Sequence, residues 1–345
     1  MPLPQVLPPN VIPHWYAGGA ALAAGRGLAP VSGNCPEEWI GATVHRFGKP
    51  TLGPSCLADG TLLRDAVVDD PIGWLGRDDG EPGDTGILVK LLDTGQRLPV
   101  HVHPTRDFAR RHLGSPYGKT EAWYVLEAAS GAAVWVGWQE DVDPGRLAGL
   151  VDAQDVDTLL SLMHRVVVNP GDGILVPGGT PHAIGAGVLL VEAQEPTDQS
   201  ILLEHVNTTA TATEIFMGLS PEIALSSVGT ARLGDSRTLI SRAAAGVAAG
   251  RVSALPAEAD PYLRMDRLAG ADGQAQEYRA GFAVVVVLAG AGQLRAAALD
   301  NSPRLTRGQV WVVPAAAGDW TVTGDVRVLV CRPGTTWPPD PVGGP

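Results

Sequence analysis

The sequence has few cysteines and no long apolar run, and each shortage excludes a class of protein. Its 345 residues include three cysteines, which lie far apart and lack CxxC spacing. They therefore indicate neither a disulfide framework nor a thiolate zinc site. No segment reaches the roughly 18 apolar residues of a membrane span, and the N-terminus has no basic stretch followed by an apolar one. We expect a cytoplasmic protein without a membrane partner.

Basic residues are also scarce. The chain has 25 Lys and Arg against 37 Asp and Glu, which gives a formal net charge of -12. Because no Lys/Arg cluster stands out, we expect no nucleic-acid partner, and a small anionic ligand would need a local positive pocket. The apolar fraction of 45% over this length allows one large domain or two ordinary ones. The oligomeric state does not follow from the sequence.

Short Val-rich stretches separated by many of the 43 glycines and 29 prolines predict a mainly β protein. Helical periodicity is confined to about 144–164 and roughly 210–249. We therefore predict two β units. The first spans residues 1–209 with a helical insertion at about 144–164, residues 210–250 form a helical linker, and the second unit spans 251–345.

Two histidine motifs in the first unit predict a metal site. Gly95 is followed, after five residues, by His101 and then by His103. Alternate residues of a strand face one side, so both imidazoles can point inward. The stretch GDGILVPGGTPH ends at His182, and Glu121 lies between the two motifs. Three imidazole nitrogens and one carboxylate oxygen suit zinc, or another divalent transition metal, and leave room for a substrate.

A lone HxH pair is equally compatible with structural or surface histidines, and the second spaced motif is what favours a metal. The remaining histidines lack such a context, and we predict that they are structural or exposed. They are His14, His45, His112, His164 and His205. Of these, His205 follows a strand that could bring it near the site.

These motifs resemble those of the cupin superfamily, with two departures: an insertion precedes Glu121, and no Asn follows His182 at the usual offset. The segments HVHPTRDFARRHLGSPYGKTEAWYVLEA and PHAIGAGVLLVEAQEPTD resemble the type I phosphomannose isomerases in particular. The resemblance implies two cupin (jelly-roll β-barrel) units. Since no histidine follows His205, the second unit would be degenerate and structural.

The resemblance also implies an activity, the isomerisation of mannose 6-phosphate to fructose 6-phosphate through a cis-enediol. Lys119 and Glu192 match family residues near the site. Chemistry of this kind needs a group that moves a proton between C2 and C1 and a cation or donor beside the developing oxyanion. We therefore predict Lys119 and Glu192 as the catalytic residues.

One departure from the family affects the substrate. Leu202 stands where the family carries an active-site arginine, and it cannot contact a phosphate. Substitutes for the missing cation are Arg106, Arg110, Arg111 and Lys119, and we predict Arg106 and His205 as substrate-binding residues. Two alternatives to the sugar-phosphate isomerase remain: an isomerase or epimerase of a different, unphosphorylated sugar, and a sugar-binding cupin without turnover.

Overall fold

The structure is a computed structural model that describes residues 1–29, 34–242, 250–269 and 275–339. Strands up to residue 210 are β1 (Gln5–Val6), β2 (Val11–Ile12), β3 (Glu37–Ile40), β4 (Leu88–Asp93), β5 (His101–Val102), β6 (Glu121–Ala128), β7 (Ala133–Trp138), β8 (Met163–Val167), β9 (Gly173–Val176), β10 (His182–Ile184), β11 (Val188–Gln194) and β12 (Ile201–Leu202). Later strands are β13 (Ile240–Ser241), β14 (Gly250–Ser253), β15 (Leu263–Ala269), β16 (Gln276–Tyr278), β17 (Ala283–Ala296), β18 (Arg304–Thr306), β19 (Val310–Val313), β20 (Trp320–Thr323) and β21 (Val326–Pro333).

The helices are short and lie between the strands. They are α1 (Ala21–Arg26), α2 (Leu63–Asp69), α3 (Pro71–Leu75), α4 (Arg106–His112), α5 (Pro144–Ala153), α6 (Val156–Ser161), α7 (Ala212–Phe216) and α8 (Pro221–Leu225). Helix α5 shows why one of them starts where it does. Asp143 accepts a hydrogen bond from the Arg146 amide, and Pro144 occupies the first turn, where its missing N–H costs nothing. None of the helices within the described ranges is long and apolar enough to cross a membrane.

The first β unit consists of two antiparallel sheets. One has seven strands in the order β13-β9-β6-β11-β4-β3-β2, and the other has five in the order β12-β5-β10-β7-β8. The second unit is a nine-stranded antiparallel sheet in which the long strand β17 pairs with β18, β19, β20 and β21. Its run AVVVVL is rich in β-branched residues, which pack well on a pleated surface. The predicted mainly β fold is confirmed.

The main hydrophobic core extends across both units. It joins Leu91, Trp123 and Val191 of the first unit to Val286 and Leu329 of the second. A second core lies beneath α5 and α6, and a third fills the interior of the second unit. Burial of this apolar area is the dominant favourable contribution to folding. The two units therefore share one contiguous core.

The unit boundaries remain a prediction, and two strands cross them. Strand β1, in the predicted first unit, pairs with β19 of the second sheet. Strand β13, in the predicted linker, pairs with β9 of the first unit. The rest of the predicted linker holds the short helices α7 and α8, and residues 243–249 lie outside the described residues.

A close backbone approach at Gly95 predicts a stability defect. A Cβ at this position would lie 2.2 Å from the carbonyl oxygen of Gly18. We expect Gly95→Ala to lower the free energy of unfolding by about 1–3 kcal/mol, because the two backbones must separate. Gly149→Ala, in an exposed turn of α5 with nothing within 4 Å, is the matched control and should raise it by about 0.5–1 kcal/mol. Urea unfolding measures both, and equal stability of the two variants would contradict the proposed contact.

Candidate metal centre

Strand register brings the predicted histidines together. On the five-stranded sheet, His101 of β5 lies directly opposite His182 of β10. Opposed residues of an antiparallel pair point to the same face, and their ring centroids are 4.1 Å apart. His103, two residues after His101, places its ring 4.8 Å from that of His182. One nitrogen from each of the three buried imidazoles lies within 4.8 Å of the others.

Backbone carbonyl groups orient each of these imidazoles. The Nδ1 atoms of His101, His103 and His182 lie 2.8 Å from carbonyl oxygens, and those oxygens belong to Pro99, Gln199 and Thr180. Because a carbonyl oxygen only accepts, each Nδ1 must carry the proton. Each Nε2 therefore presents a lone pair to the centre of the cluster, which is the tautomer that a metal ligand requires.

Glu121 and Lys119 complete the cluster. The Glu121 Oε2 atom lies 2.9 Å from His103 Nε2, and Oε1 lies 3.4 Å from His182 Nε2. The Trp123 indole donates to Oε1 at 2.9 Å. The Lys119 ammonium is 3.0 Å from His103 Nε2 and 3.4 Å from Glu121 Oε2. All four predicted metal ligands and one predicted catalytic residue therefore meet at one point.

The protonation states suit a divalent cation. Burial, with a contribution from Lys119, lowers the pKa of His103 to about 3, and burial lowers the pKa of His101 and His182 as well. Burial alone would raise the pKa of Glu121, but His103 and Lys119 outweigh it and hold that pKa well below its usual value. Glu121 Oε2 and His182 Nε2 are buried without a hydrogen-bond partner. Neutral imidazoles, a carboxylate and two orphaned ligand atoms fit a metal ion.

A second charged group lies beside the cluster, and its centre is Lys90, which no sequence motif indicated. The Lys90 Nζ atom is 3.3 Å from Glu37, 3.3 Å from Glu192 and 3.9 Å from Asp198, and it sits over the Trp39 ring. Burial lowers the pKa of Lys90, but the carboxylates outweigh it and raise that pKa, so the ammonium stays charged. Burial, reinforced by Glu121, raises the pKa of Glu192 to about 7.

These groups line a single small cavity. His101, Lys119 and Glu192 contribute to its wall, together with His14 and Tyr16 of the N-terminal segment. Its volume is about 30 Å³, which is enough for an ion and a water molecule but not for a whole sugar. A sugar must therefore displace lining side chains or insert only its reactive end.

Buried contacts connect the N-terminal segment to Lys90. The Tyr16 hydroxyl donates to Glu37 Oε1 at 2.5 Å, and His14 Nε2 lies 3.6 Å from the same oxygen. Burial lowers the pKa of His14 to about 4, so this imidazole is neutral near pH 7. The N-terminal segment contains no motif with a characteristic spacing. The sequence therefore did not indicate that His14 and Tyr16 contribute to the site.

The two predicted substrate-binding residues lie elsewhere. Arg106 donates from Nε to Glu195 at 2.5 Å and packs over the Tyr262 ring. His205 lines a different cavity, beside α5 and α8. Neither residue lines the cavity of the histidine cluster. Arg106 is held by the carboxylate of Glu195, and His205 follows β12, where the chain turns away from the cluster.

Leu202 lies beside the histidine cluster, as its position in the sequence suggested. It is buried and directly opposite His101 in the β12–β5 pair. Its side chain therefore faces the same side of the sheet as the histidine. The structure therefore places an apolar group beside the histidine cluster.

Fold and site together define a mainly β protein of antiparallel sheets with a buried three-histidine candidate metal centre. Its relatives are mannose-6-phosphate isomerases. The chain is 33% identical over 181 residues to a probable mannose-6-phosphate isomerase of Bacillus subtilis (strain 168), a match that spans 52% of this chain and 55% of that one. The chain thus spans about half the length of this curated relative. No family model matches the chain.

Solved structures show the same fold over nearly the whole chain. The mannose 6-phosphate isomerase of Bacillus subtilis covers 96% of this chain and 100% of its own, with a TM-score of 0.74 and 21% identity. A mannose 6-phosphate isomerase bound with zinc and yttrium gives a TM-score of 0.71 and 16% identity, and covers 96% of this chain and 100% of its own. The family resemblance read from the histidine motifs is confirmed.

The candidate metal centre is tested by metal content. We expect the purified protein to hold close to one divalent ion per chain, and His103→Ala and His182→Ala to lose it, because each removes one of three converging nitrogens. His112→Ala changes an exposed histidine of α4 and should keep the metal. Elemental analysis of the three variants measures the metal content. Retention of metal in both site variants would contradict the assignment of this cluster as a metal centre.

The pH dependence of stability tests whether Lys90 stabilises the fold by pairing with Glu37 and Glu192. Lys90→Met leaves buried Glu37 and Glu192 without their cation, so burial raises their pKa above the unfolded values of about 4.3. A carboxyl with a raised folded pKa destabilises the fold progressively as pH rises above the unfolded value. We expect a loss of about 3–5 kcal/mol at pH 8 and a smaller loss at pH 5.

Urea unfolding at both pH values measures this effect. Lys49→Met removes an exposed lysine and is the matched control, with a change within about 0.5 kcal/mol. A loss for Lys90→Met that is the same at pH 5 and pH 8 would indicate a packing effect and contradict the electrostatic explanation.

Proposed function

We propose that the protein is a metal-dependent aldose–ketose isomerase that converts mannose 6-phosphate to fructose 6-phosphate. The observation that carries this proposal is the cluster of three buried histidines with the Glu121 carboxylate, next to a cavity that Lys119 and Glu192 line. The relatives and structural neighbours named as mannose-6-phosphate isomerases support it. The unpaired cysteines Cys35, Cys56 and Cys331 support a reducing, cytoplasmic location.

We propose zinc as the metal, held by His101, His103, His182 and Glu121. The neighbour bound with zinc and yttrium supports this choice, as does the nitrogen-rich ligand set. When bound, the ion would act as a Lewis acid toward the sugar oxygens at C1 and C2. The four ligand residues also exclude bulk water, because each is almost completely buried.

Glu192 is the proposed proton carrier. A carboxyl with a pKa of about 7 both accepts and releases a proton near neutral pH, as a transfer between C2 and C1 requires. Lys90, 3.3 Å away, holds the carboxylate in place. Lys119 is the proposed donor to the developing enediolate oxygen, since its ammonium faces the metal ligands.

The charge of the cavity favours a second candidate, an isomerase of an unphosphorylated sugar. Lys90 and Lys119 are the two lysines of the lining, and both already lie within 4 Å of carboxylates. Both lysines among the described lining residues are therefore already paired, so neither is available to bind a phosphate. Leu202, which stands where the resembling family carries an arginine, cannot supply a cation either. A neutral sugar needs no such cation.

The experiment is an isomerase assay with zinc present. Mannose 6-phosphate and a panel of neutral aldoses are offered in parallel, with ketose formation as the readout. We expect turnover of mannose 6-phosphate, with kcat lowered about 10²–10⁴-fold in Glu192→Gln and Lys119→Ala because each loses a proton-transfer or oxyanion partner. Lys49→Ala, an exposed lysine, should retain full kcat.

Metal content is measured for each variant, so that a lost ion is not mistaken for lost proton transfer. Turnover of a neutral aldose alone would favour the second candidate. Ligand-induced stabilisation without any ketose would contradict both isomerase proposals and leave a sugar-binding protein.

A further inference from the structure

A large cavity in the described part of the chain lies away from the candidate metal centre, at the junction of the two β units. Its volume is about 630 Å³, within the range of small-molecule sites. Strands β4, β6 and β11 supply one wall, with Leu91, Tyr124 and Leu189 among its residues, and strands β15, β17 and β21 supply the other. The isomerase chemistry uses none of these residues.

Arginines dominate the charge of this cavity. Arg26, Arg267, Arg307 and Arg327 line it, against a single acidic residue, Glu127. Arg26 forms a salt bridge with Glu38 at 2.7 Å. For the other three, no carboxylate of the described residues lies within salt-bridge distance. Arg267 is half-buried, whereas most other buried or half-buried cations of the described chain are paired, and Arg307 and Arg327 are exposed.

Strand register explains why the arginines face one space. Leu329 of β21 lies opposite both Arg267 of β15 and Val286 of β17, and Arg327 lies opposite Ala269 and Ala289. Alternation along β21 therefore puts both guanidinium groups on the sheet face that packs against the first unit. The Arg267 group also lies beside the Tyr124 hydroxyl, whose pKa burial raises, so that the hydroxyl stays a proton donor.

We propose that this cavity binds a small organic anion with two or more negative charges, carried by phosphate or carboxylate groups. Guanidinium groups present paired N–H donors that match both kinds of oxyanion. Apolar side chains of β4 and β11 would pack against the body of the ligand. The three arginines, which have no salt-bridge partner among the described residues, would then gain an anionic partner.

The test is calorimetric binding to the metal-loaded protein, with ADP as the phosphate probe and citrate as the carboxylate probe. We expect at least one of them to bind, and Arg267→Gln and Arg327→Gln each to weaken its affinity about tenfold or more, because each loses a charge-assisted hydrogen bond. Binding should also weaken as salt is raised, since Arg307 and Arg327 are exposed. Which probe binds distinguishes phosphate from carboxylate.

Arg295→Gln is the matched control, because this arginine is exposed on the second unit and does not line the cavity. It should change the affinity less than twofold, and thermal unfolding checks that all three variants are folded. Both probes also chelate metal ions, so binding that is equal in all variants belongs to the metal centre and overturns the proposal. Absence of binding by both probes at millimolar concentration overturns it as well.

Discussion

Three hydrogen bonds between imidazole Nδ1 atoms and backbone carbonyl oxygens determine what the buried centre can bind. These hydrogen bonds direct the Nε2 lone pairs of His101, His103 and His182 toward one point. Only a Lewis acid or a proton donor can interact favourably with those lone pairs. The sheet also aligns two of the imidazoles, since His101 and His182 are paired across β5 and β10. The metal centre therefore depends on strand register more than on any flexible side chain.

Charge balance follows from that arrangement. The cavity lining carries two ammonium and four carboxyl groups, namely Lys90, Lys119, Glu37, Glu121, Glu192 and Asp198. With all of them ionised the lining has two negative charges in excess, and a divalent ion brings the sum to zero. Protonation of Glu192, with its pKa near 7, adds one positive charge. A phosphate dianion would again leave an excess of negative charge, which is costly where water is excluded. The phosphate of a sugar phosphate must therefore lie outside this space.

The sequence predicted the centre from local spacing and failed where contacts are distant. HxH alternation and the Gly/Pro-punctuated stretch that leads to His182 were enough to predict three candidate ligands, because strand geometry sets the direction of such side chains. Lys90 and Glu37 were missed because their proximity arises from the pairing of β3 with β4, a register that no motif encodes. Arg106 does not line the cavity because Glu195, distant in sequence, forms a salt bridge with its guanidinium, and its role in substrate binding stays a prediction. The arginines of the inter-unit cavity are spread over α1, β15, β21 and a loop, so no basic cluster marks them.

Both sites use the same three strands. Alternation along β4, β6 and β11 places Lys90, Glu121 and Glu192 on the face of the metal cavity, and Leu91, Tyr124 and Leu189 on the face of the inter-unit cavity. The strands are mutually hydrogen-bonded and buried on both faces, so a shift of one strand moves groups in both cavities. An anion drawn to the arginines would hold the second unit against the outer face of these strands.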